Sequence, residues 1–298
     1  MMNKQEIRGD AIAILGLGKV GTAVGFLLKK AGYRIVAVAT RSTEARERGK
    51  TYTGGKPKLN FADAAREATC IFITTTDDSI ASVCNEIASR GGIKPGAKVI
   101  HMSGAGGLDL LAPARSAGAR TACIHPLQSF PDIESAIANI PGSTFGITSD
   151  DTIKEWCSQV VKDLGGTPVF ISDEDKPLYH AAACIASNYL AAIIHMVEEI
   201  YGSIGLSRED AVRSNWPLVM GTLGNIESKG AVQALTGPIA RGDTGTVKKH
   251  LAALQGRLPG LLQAYKSLGI ITCDIGLKKK TLSHETAQKI NELLERGE

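Results

Sequence analysis

Residues 12–22, Ile-Ala-Ile-Leu-Gly-Leu-Gly-Lys-Val-Gly-Thr, restrict what this chain can fold into more than any other stretch. Ile12, Ile14 and Leu15 read as a buried first strand. Gly16, Gly18 and Gly21 complete a G-x-G-x-x-G, and Thr22 to Lys30 continue as a helix. Gly16 lets the chain turn off the strand, Gly18 lets a pyrophosphate approach the backbone, and Gly21 lets the helix pack close to the sheet. The first N–H groups of the helix are then free for phosphates. Leu17, Lys19 and Val20 fill the rest of the loop and belong to the expected cofactor contacts. A glycine triplet alone also suits an unliganded strand–helix turn. Here it follows an apolar strand, opens a helix and precedes a second strand, Arg34 to Thr40, so dinucleotide binding is the expectation.

The end of the second strand bears on which nicotinamide cofactor fits. An NAD-type site places an acid there for the ribose 2′-hydroxyl. This chain has Ala39-Thr40-Arg41-Ser42-Thr43, and its first acid is Glu44. Arg41 suits a 2′-phosphate, with Ser42 and Thr43 adding hydroxyl donors, so NADPH is expected over NADH. Beyond it, residues 61–69 read as a short helix and Cys70 to Thr76 as a buried strand, with a helix from Ser79 to Arg90. Ligands of an open parallel sheet lie beyond the strands' carboxyl ends. That places Thr74 to Asp78 beside the cofactor, with Thr75, Thr76 and Asp78 as contacts, although Asp77 or Asp78 could equally cap the helix. The strand Lys98 to Met102 runs into Ser103-Gly104-Ala-Gly-Gly, small enough for a nicotinamide to come close. His125-Pro126 follows a short apolar strand, and the proline biases His125 to an extended backbone. A lone His-Pro is commonly a turn, yet imidazole is also the group best suited to proton exchange near neutral pH.

Strand–helix alternation stops after Thr167 to Ile171. The expected division is therefore a cofactor domain over 1–172 and a helical substrate or dimerisation domain over 173–298. The helical half opens on a long apolar helix from about 174 to 203. At 100° per residue, Lys176, His180, Cys184, Ser187 and Asn188 fall on one face. Polar groups on an otherwise buried helix are costly unless they are satisfied or face a cleft. Arg241, in Thr236-Gly-Pro-Ile-Ala-Arg-Gly-Asp243, could grip a carboxylate or be a plain surface charge at a turn.

Several function classes look remote. No apolar run reaches the ~18 residues of a membrane span, and the amino-terminal ten residues lack an apolar signal core, so a cytoplasmic protein is expected. Six cysteines without a C-x-x-C fit reduced thiols, and no metal site is expected. A net charge of +4 with no basic cluster interleaved by aromatics argues against nucleic acid and suits a small anionic substrate.

Taken in order, Gly16 to Gly21, His125-Pro-Leu-Gln-Ser-Phe130, Lys176 to Asn188 and Thr236 to Asp243 resemble a little-characterised family of Rossmann-like oxidoreductases whose carboxyl-terminal half is a helical domain of unknown function. More distantly, the layout is similar to pyrroline-5-carboxylate reductase, ketopantoate reductase, prephenate dehydrogenase and the β-hydroxyacid dehydrogenases. The resemblance implies an α/β fold, a Rossmann-type doubly wound parallel sheet followed by an all-helical domain. It also implies NADP(H) between the domains and a homodimer through the helical one. His125-Pro126 is similar to the His-Pro of prephenate dehydrogenases. Where ketopantoate reductases and β-hydroxyacid dehydrogenases carry a helical Lys with an Asn four residues on, Lys176 is followed by His180, and the Asn comes at 188. The proton donor is thus open among Lys176, His180 and His125. Asn188 and Ser187 would orient the substrate, and Arg241 would take its carboxylate. The expected reaction is hydride transfer from NADPH to a carboxylate-bearing carbonyl such as a 2-keto acid. A cyclic imine is the alternative substrate, and a non-catalytic NADPH sensor the alternative class.

Overall fold

Alternation of apolar residues builds the sheet. Strand β1 (Ala11–Leu15) is buried on both faces. Ile12 and Ile14 join one core layer with Phe72, Ile100 and Ile124, whereas Ala13 and Leu15 join the other with Ile71, Ile73 and Val99. The computed structural model describes residues 8–296. Eight strands form one sheet in the order β3-β2-β1-β4-β5-β6-β7-β8. They are β2 (Arg34–Ala39), β3 (Lys56–Lys58), β4 (Cys70–Ile73), β5 (Lys98–His101), β6 (Arg120–Pro126), β7 (Thr144–Ser149) and β8 (Thr167–Phe170). The strand order reverses between β1 and β4, the point at which doubly wound sheets open a crevice.

Helices cover both faces. Helix α1 (Lys19–Lys30), α6 (Ile133–Asn139) and α7 (Lys154–Asp163) pack on one layer. Helices α3 (Phe61–Arg66), α4 (Asp77–Ser89) and α5 (Ala112–Ser116) pack on the other, while α2 (Thr43–Thr53) follows β2. Below β1, the carboxylate of Asp10 accepts hydrogen bonds from Thr69 Oγ1 (2.8 Å), Trp156 Nε1 (2.9 Å) and Lys98 Nζ (2.9 Å). This buried node pins β1, β5 and α7 together, and each of its acceptor bonds is charge-assisted.

The sheet is mostly parallel, in keeping with the sequence, but departs from it at one strand: β7 runs antiparallel to β6. The link from Pro126 to Thr144 carries only the seven-residue α6, and an antiparallel neighbour needs no long crossover. Strand β8 then returns parallel to β7.

The chain divides into two compact units, one ending at Ser187 and the next beginning at Asn188. The change in sequence pattern falls earlier, at 172/173, because α8 (Lys176–Cys184) packs its polar face onto the first unit. A widened π turn, Ile185–Tyr189, leads into α9 (Leu190–Ser203). Its bonding spans one residue more than an α turn, so a 100° wheel does not carry past Cys184. The expectation that no segment could span a membrane also needs correcting. The helix Lys176–Ser203 is long and apolar enough by length and composition, with mean hydropathy 1.4 over its best window. Nor is it a buried helix: Leu178, Ile185 and Tyr189 are largely exposed.

The second unit continues with α10 (Arg208–Ala234), broken at Gly230, where φ is +76°, and with α11 (Thr244–Arg257), α12 (Pro259–Lys279) and α13 (His284–Arg296). Its core gathers Val247, Leu251, Cys273, Ile290 and Leu294.

Candidate functional site

The loop after β1 is held by its neighbours before any ligand is considered. Gly16 N–H donates to Ala39 O (2.8 Å), Thr74 N–H to Leu15 O (2.8 Å), and Thr74 Oγ1 to Gly16 O (2.6 Å). Gly16 has φ of +106°, and a side chain there would lie 2.7 Å from the Thr74 backbone. A Cβ on Gly21 would stand 2.1 Å from Gly16 O, so α1 can approach β1 only as glycine. Gly18 differs. Its φ of −73° suits any residue, and a Cβ there would meet nothing within 4 Å. Protein packing gives no reason for glycine at 18; open space above the α1 N-terminus does.

That space is a cleft of about 710 Å3 bordered by Gly16, Leu17, Gly18, Lys19 and Val20, by Thr40 and Arg41, and by Thr74 to Asp77. Met102 and Phe130 also border it. Helix α1 has no acid in its first turn and no side chain capping its N–H groups, so its partial positive charge is free for an anion. The buried Thr75 hydroxyl, on the cleft wall, has no hydrogen-bond partner among the described residues, an orphan that a bound ligand can satisfy. Arg41 is exposed at the rim, with no acid beside it on the β2 end. The groups present therefore fit a dinucleotide carrying a 2′-phosphate.

Other residues expected here take different places. Gly21 sits behind the loop as packing. Ser42 caps α2 by accepting the Ala45 N–H (3.2 Å), which leaves its own O–H free to donate, and Thr43 opens that helix on the surface. Asp78 is exposed and does not border the cleft; its neighbour Asp77 does, and accepts a hydrogen bond from Ser103 Oγ (2.7 Å). Successive helical residues point about 100° apart, which is why two adjacent acids have different surroundings.

A second cluster adjoins Ser103. Strand register sets His101 opposite Cys123 and His125 opposite Gly146. Helix α8 then lays Lys176, Tyr179 and His180, its i, i+3 and i+4 positions, over these strand ends. Lys176 is 1% exposed, and its Nζ donates to Ser103 O (3.2 Å) and to Cys123 Sγ (3.1 Å). The Cys123 thiol in turn donates to Ser103 O (3.1 Å). Tyr179 OH lies 3.2 Å from His125 Nδ1, and the rings of His125 and His180 meet edge-on, 6.0 Å apart. Two glycines make room: a Cβ on Gly146 would lie 2.7 Å from Tyr179 OH, and one on Gly104 would lie 2.3 Å from the His180 ring and 2.8 Å from His125 Nε2.

The electrostatics follow from burial. His101 accepts from Ser103 N–H at Nδ1 (3.2 Å) and faces Gly107 O with Nε2 (3.1 Å), which is the neutral Nε2–H tautomer. Burial first, and the Lys176 ammonium second, lower its pKa to about 4. The same two causes, with His180 third, lower His125 to about 4. Burial pushes the Cys123 thiol up to about 11 against the pull of Lys176, so it stays protonated. Tyr179 is raised by burial and keeps its proton. A tyrosine O–H that donates to Nδ1 fixes His125 as the Nε2–H tautomer.

The structure thus gathers Lys176, His125 and His180, with Ser103 and Gly104 between them and the cleft. Ser187 is exposed on the π turn, while Asn188 and the exposed Arg241, on the turn Ile239–Arg241, belong to the second unit. Sequence reasoning missed Cys123, His101 and Tyr179. The one available signal was spacing, since Tyr179 follows Lys176 by three residues.

The sheet order and glycine cradle define the class: a Rossmann-type α/β protein with a helical carboxyl-terminal extension. More particularly, residues 3–126 match the Rossmann-like domain, and residues 143–272 match the domain of unknown function DUF2520. The second match begins at β7, so in this chain it takes in the last two strands of the sheet as well as helices. Protein BF3122 of Bacteroides fragilis is similar over 90% of this chain and 99% of its own, at 18% identity and TM-score 0.74. Protein TM1727 of Thermotoga maritima is similar over 91% and 100%, at 22% identity and TM-score 0.70. The pyrroline carboxylate reductase of Plasmodium falciparum, solved with NADP bound, is similar over 95% and 99%, at 14% identity and TM-score 0.59. These likenesses establish the shared fold. No curated protein matches the sequence.

Proposed function

We propose that this chain is an NADPH-dependent oxidoreductase that reduces a small carboxylate-bearing carbonyl compound. The observation that carries the reading is the open space over Gly18 beside the orphaned Thr75 hydroxyl. It is a phosphate seat with nothing of the protein in it. Gly16 to Val20 and the α1 N-terminus would hold the pyrophosphate, Arg41 the 2′-phosphate, and Thr75 and Thr76 the adjoining ribose. NADPH, when bound, supplies the hydride.

The chain's own residues do the rest. His125, neutral above pH ~5, presents Nε2–H as a hydrogen-bond donor to an oxygen gaining negative charge. His180, half-buried beside it, is the group we assign to deliver the proton. Lys176 is removed from that role by burial, because its ammonium is already spent on Ser103 and Cys123. Ser187, Asn188 and Arg241 remain our candidates for orienting the substrate and its carboxylate. The cofactor role is assigned to residues 1–172 and the substrate role to 173–298.

Reduction of a cyclic imine is a second reading, favoured by the name of the Plasmodium falciparum neighbour. Two further assignments are ours. Pairing into a homodimer through the helical half is supported by the exposure of Trp216, Leu218 and Met220, each more than half exposed, since monomers rarely leave so much apolar surface open. Light scattering on the purified protein tests it. A cytoplasmic location is supported by six free cysteines.

NADPH oxidation against a panel of 2-keto acids and cyclic imines, with NADH alongside, tests the reaction. Turnover on keto acids supports the reading and turnover on imines alone replaces it. Tight binding without turnover favours a sensor. Arg41→Ala should weaken NADPH about 10- to 100-fold and leave NADH unchanged.

A further inference from the structure

Lys176 poses a question that the reaction leaves open. Burying an ammonium costs several kcal/mol unless it is paired, yet among the described residues Lys176 has no carboxylate within 4 Å; its partners are a carbonyl and a neutral thiol. The three polar atoms form a closed triangle. Lysine can only donate, so Cys123 Sγ accepts from Nζ and passes its own proton to Ser103 O, which accepts twice. This triangle joins three separate elements: α8, strand β6 and the turn after β5. Two residues beyond Cys123 stands His125, and directly after Ser103 stands Gly104, against which both imidazoles pack.

We propose that Lys176 is the positioning residue of this site: its buried ammonium clamps the Ser103–Gly107 turn to β6 and holds His125, neutral, against Gly104. The proposal rests on the reading that His125 faces the substrate. Its charge acts along with its bonds. The groups around His125 are Lys176, Tyr179 and His180 from α8, Asp77 from α4 and His101 from β5. Of these, Lys176 and the two other imidazoles oppose a proton on His125, whereas Asp77 favours one. Without the ammonium, the acid's pull is no longer countered by a fixed positive charge. His125 would then take up a proton at a higher pH, and without the clamp the Ser103–Gly107 turn and β6 would no longer hold its Nε2–H in place for the substrate.

The test is the His125 titration followed by NMR of imidazole-labelled full-length protein without cofactor, in wild type, Lys176→Met, Lys176→Arg and Cys123→Ala. Lys176→Met should raise the His125 midpoint by about one pH unit, lower kcat about 100-fold and change NADPH affinity less than about threefold. Lys176→Arg keeps the charge and should hold the midpoint near wild type. Cys123→Ala keeps the charge but loses one acceptor, so it should lower kcat with the midpoint unmoved. If Lys176→Met is too unstable to titrate, Lys176→Gln removes the same charge while keeping a donor, and should raise the His125 midpoint in its place. A midpoint that ignores Lys176→Met, or that moves equally in Cys123→Ala, overturns the proposal. Failure of the reductase reading would show separately, as absent turnover in wild type with the NMR result standing.

Discussion

The cofactor cradle and the imidazole cluster adjoin each other at Ser103 but are made in opposite ways. The cradle consists of backbone and of space. Gly16 and Gly21 are glycine because the protein crowds them, and Gly18 is glycine although nothing crowds it. The cluster consists of side chains that fill space and satisfy one another: Lys176 on Ser103 and Cys123, Tyr179 on His125, His180 against Gly104. A cradle of this kind binds by leaving N–H groups free. A cluster of this kind tunes protons by excluding water. The difference teaches where each can be damaged.

The sharpest break in the comparison is between two glycines three residues apart. Gly21→Val puts a side chain into Gly16 O and Thr74, an overlap that relaxation of one rotamer cannot relieve. It should cost about 3 kcal/mol or more of stability, read as a lowered urea midpoint. Gly18→Val should leave that midpoint in place and weaken NADPH at least about tenfold. Should the two variants behave alike, the separation between packing glycine and binding glycine is wrong.

Acid separates the regions next. His101 and His125 titrate near 4 in the folded protein and near 6.5 when unfolded. Between those values the unfolded chain binds more protons, so stability falls as pH drops from 6.5 towards 4 and is regained on the way up. The loss is on the order of 1–3 kcal/mol per imidazole. His101→Gln should flatten that part of the curve, measured by urea unfolding at half-unit pH steps. The cradle, without a titratable group in its loop other than Lys19, contributes nothing there. An unchanged slope in the variant would move the source elsewhere.

The same contrast explains what could be read from the sequence. The cradle is local. A strand, three glycines and a helix within residues 11–30 state their geometry in order, and Arg41 lies at the end of the next strand. The cluster depends on register between elements as much as 73 residues apart, the separation of Lys176 and Ser103. Helical spacing placed Lys176 and His180 on one face correctly, since i and i+4 share a face whatever the fold, but it could not say that the lysine would be sealed and the histidine left half-buried. It also carried the stripe to Ser187 and Asn188, at the π turn Ile185–Tyr189, whose different bonding a uniform wheel does not describe. Asp77 and Asp78 could not be told apart for a similar reason: which of two adjacent acids faces the cleft depends on where α4 begins, and Thr76 as its N-cap starts it at Asp77.

Tyr179→Phe is the mildest test and the most specific. The phenol has two neighbours, Gly146 across the strand pair and His125 Nδ1 at 3.2 Å. Removing its oxygen leaves the ring in place, so packing against Gly146 is kept and stability should fall only about 1 kcal/mol. What changes is the instruction to His125: with no O–H donating to Nδ1, the ring is free to carry its proton there and turn an acceptor towards Gly104. Nitrogen-15 chemical shifts of His125 should move from a single Nε2–H form to a mixture of tautomers, and kcat should fall less than about tenfold while NADPH binding stays as in wild type. A tautomer unchanged in the Phe variant would mean that Gly104 and His180, rather than Tyr179, orient the imidazole. The cluster would then resemble the cradle more closely than proposed, with its geometry set by the shape of a glycine.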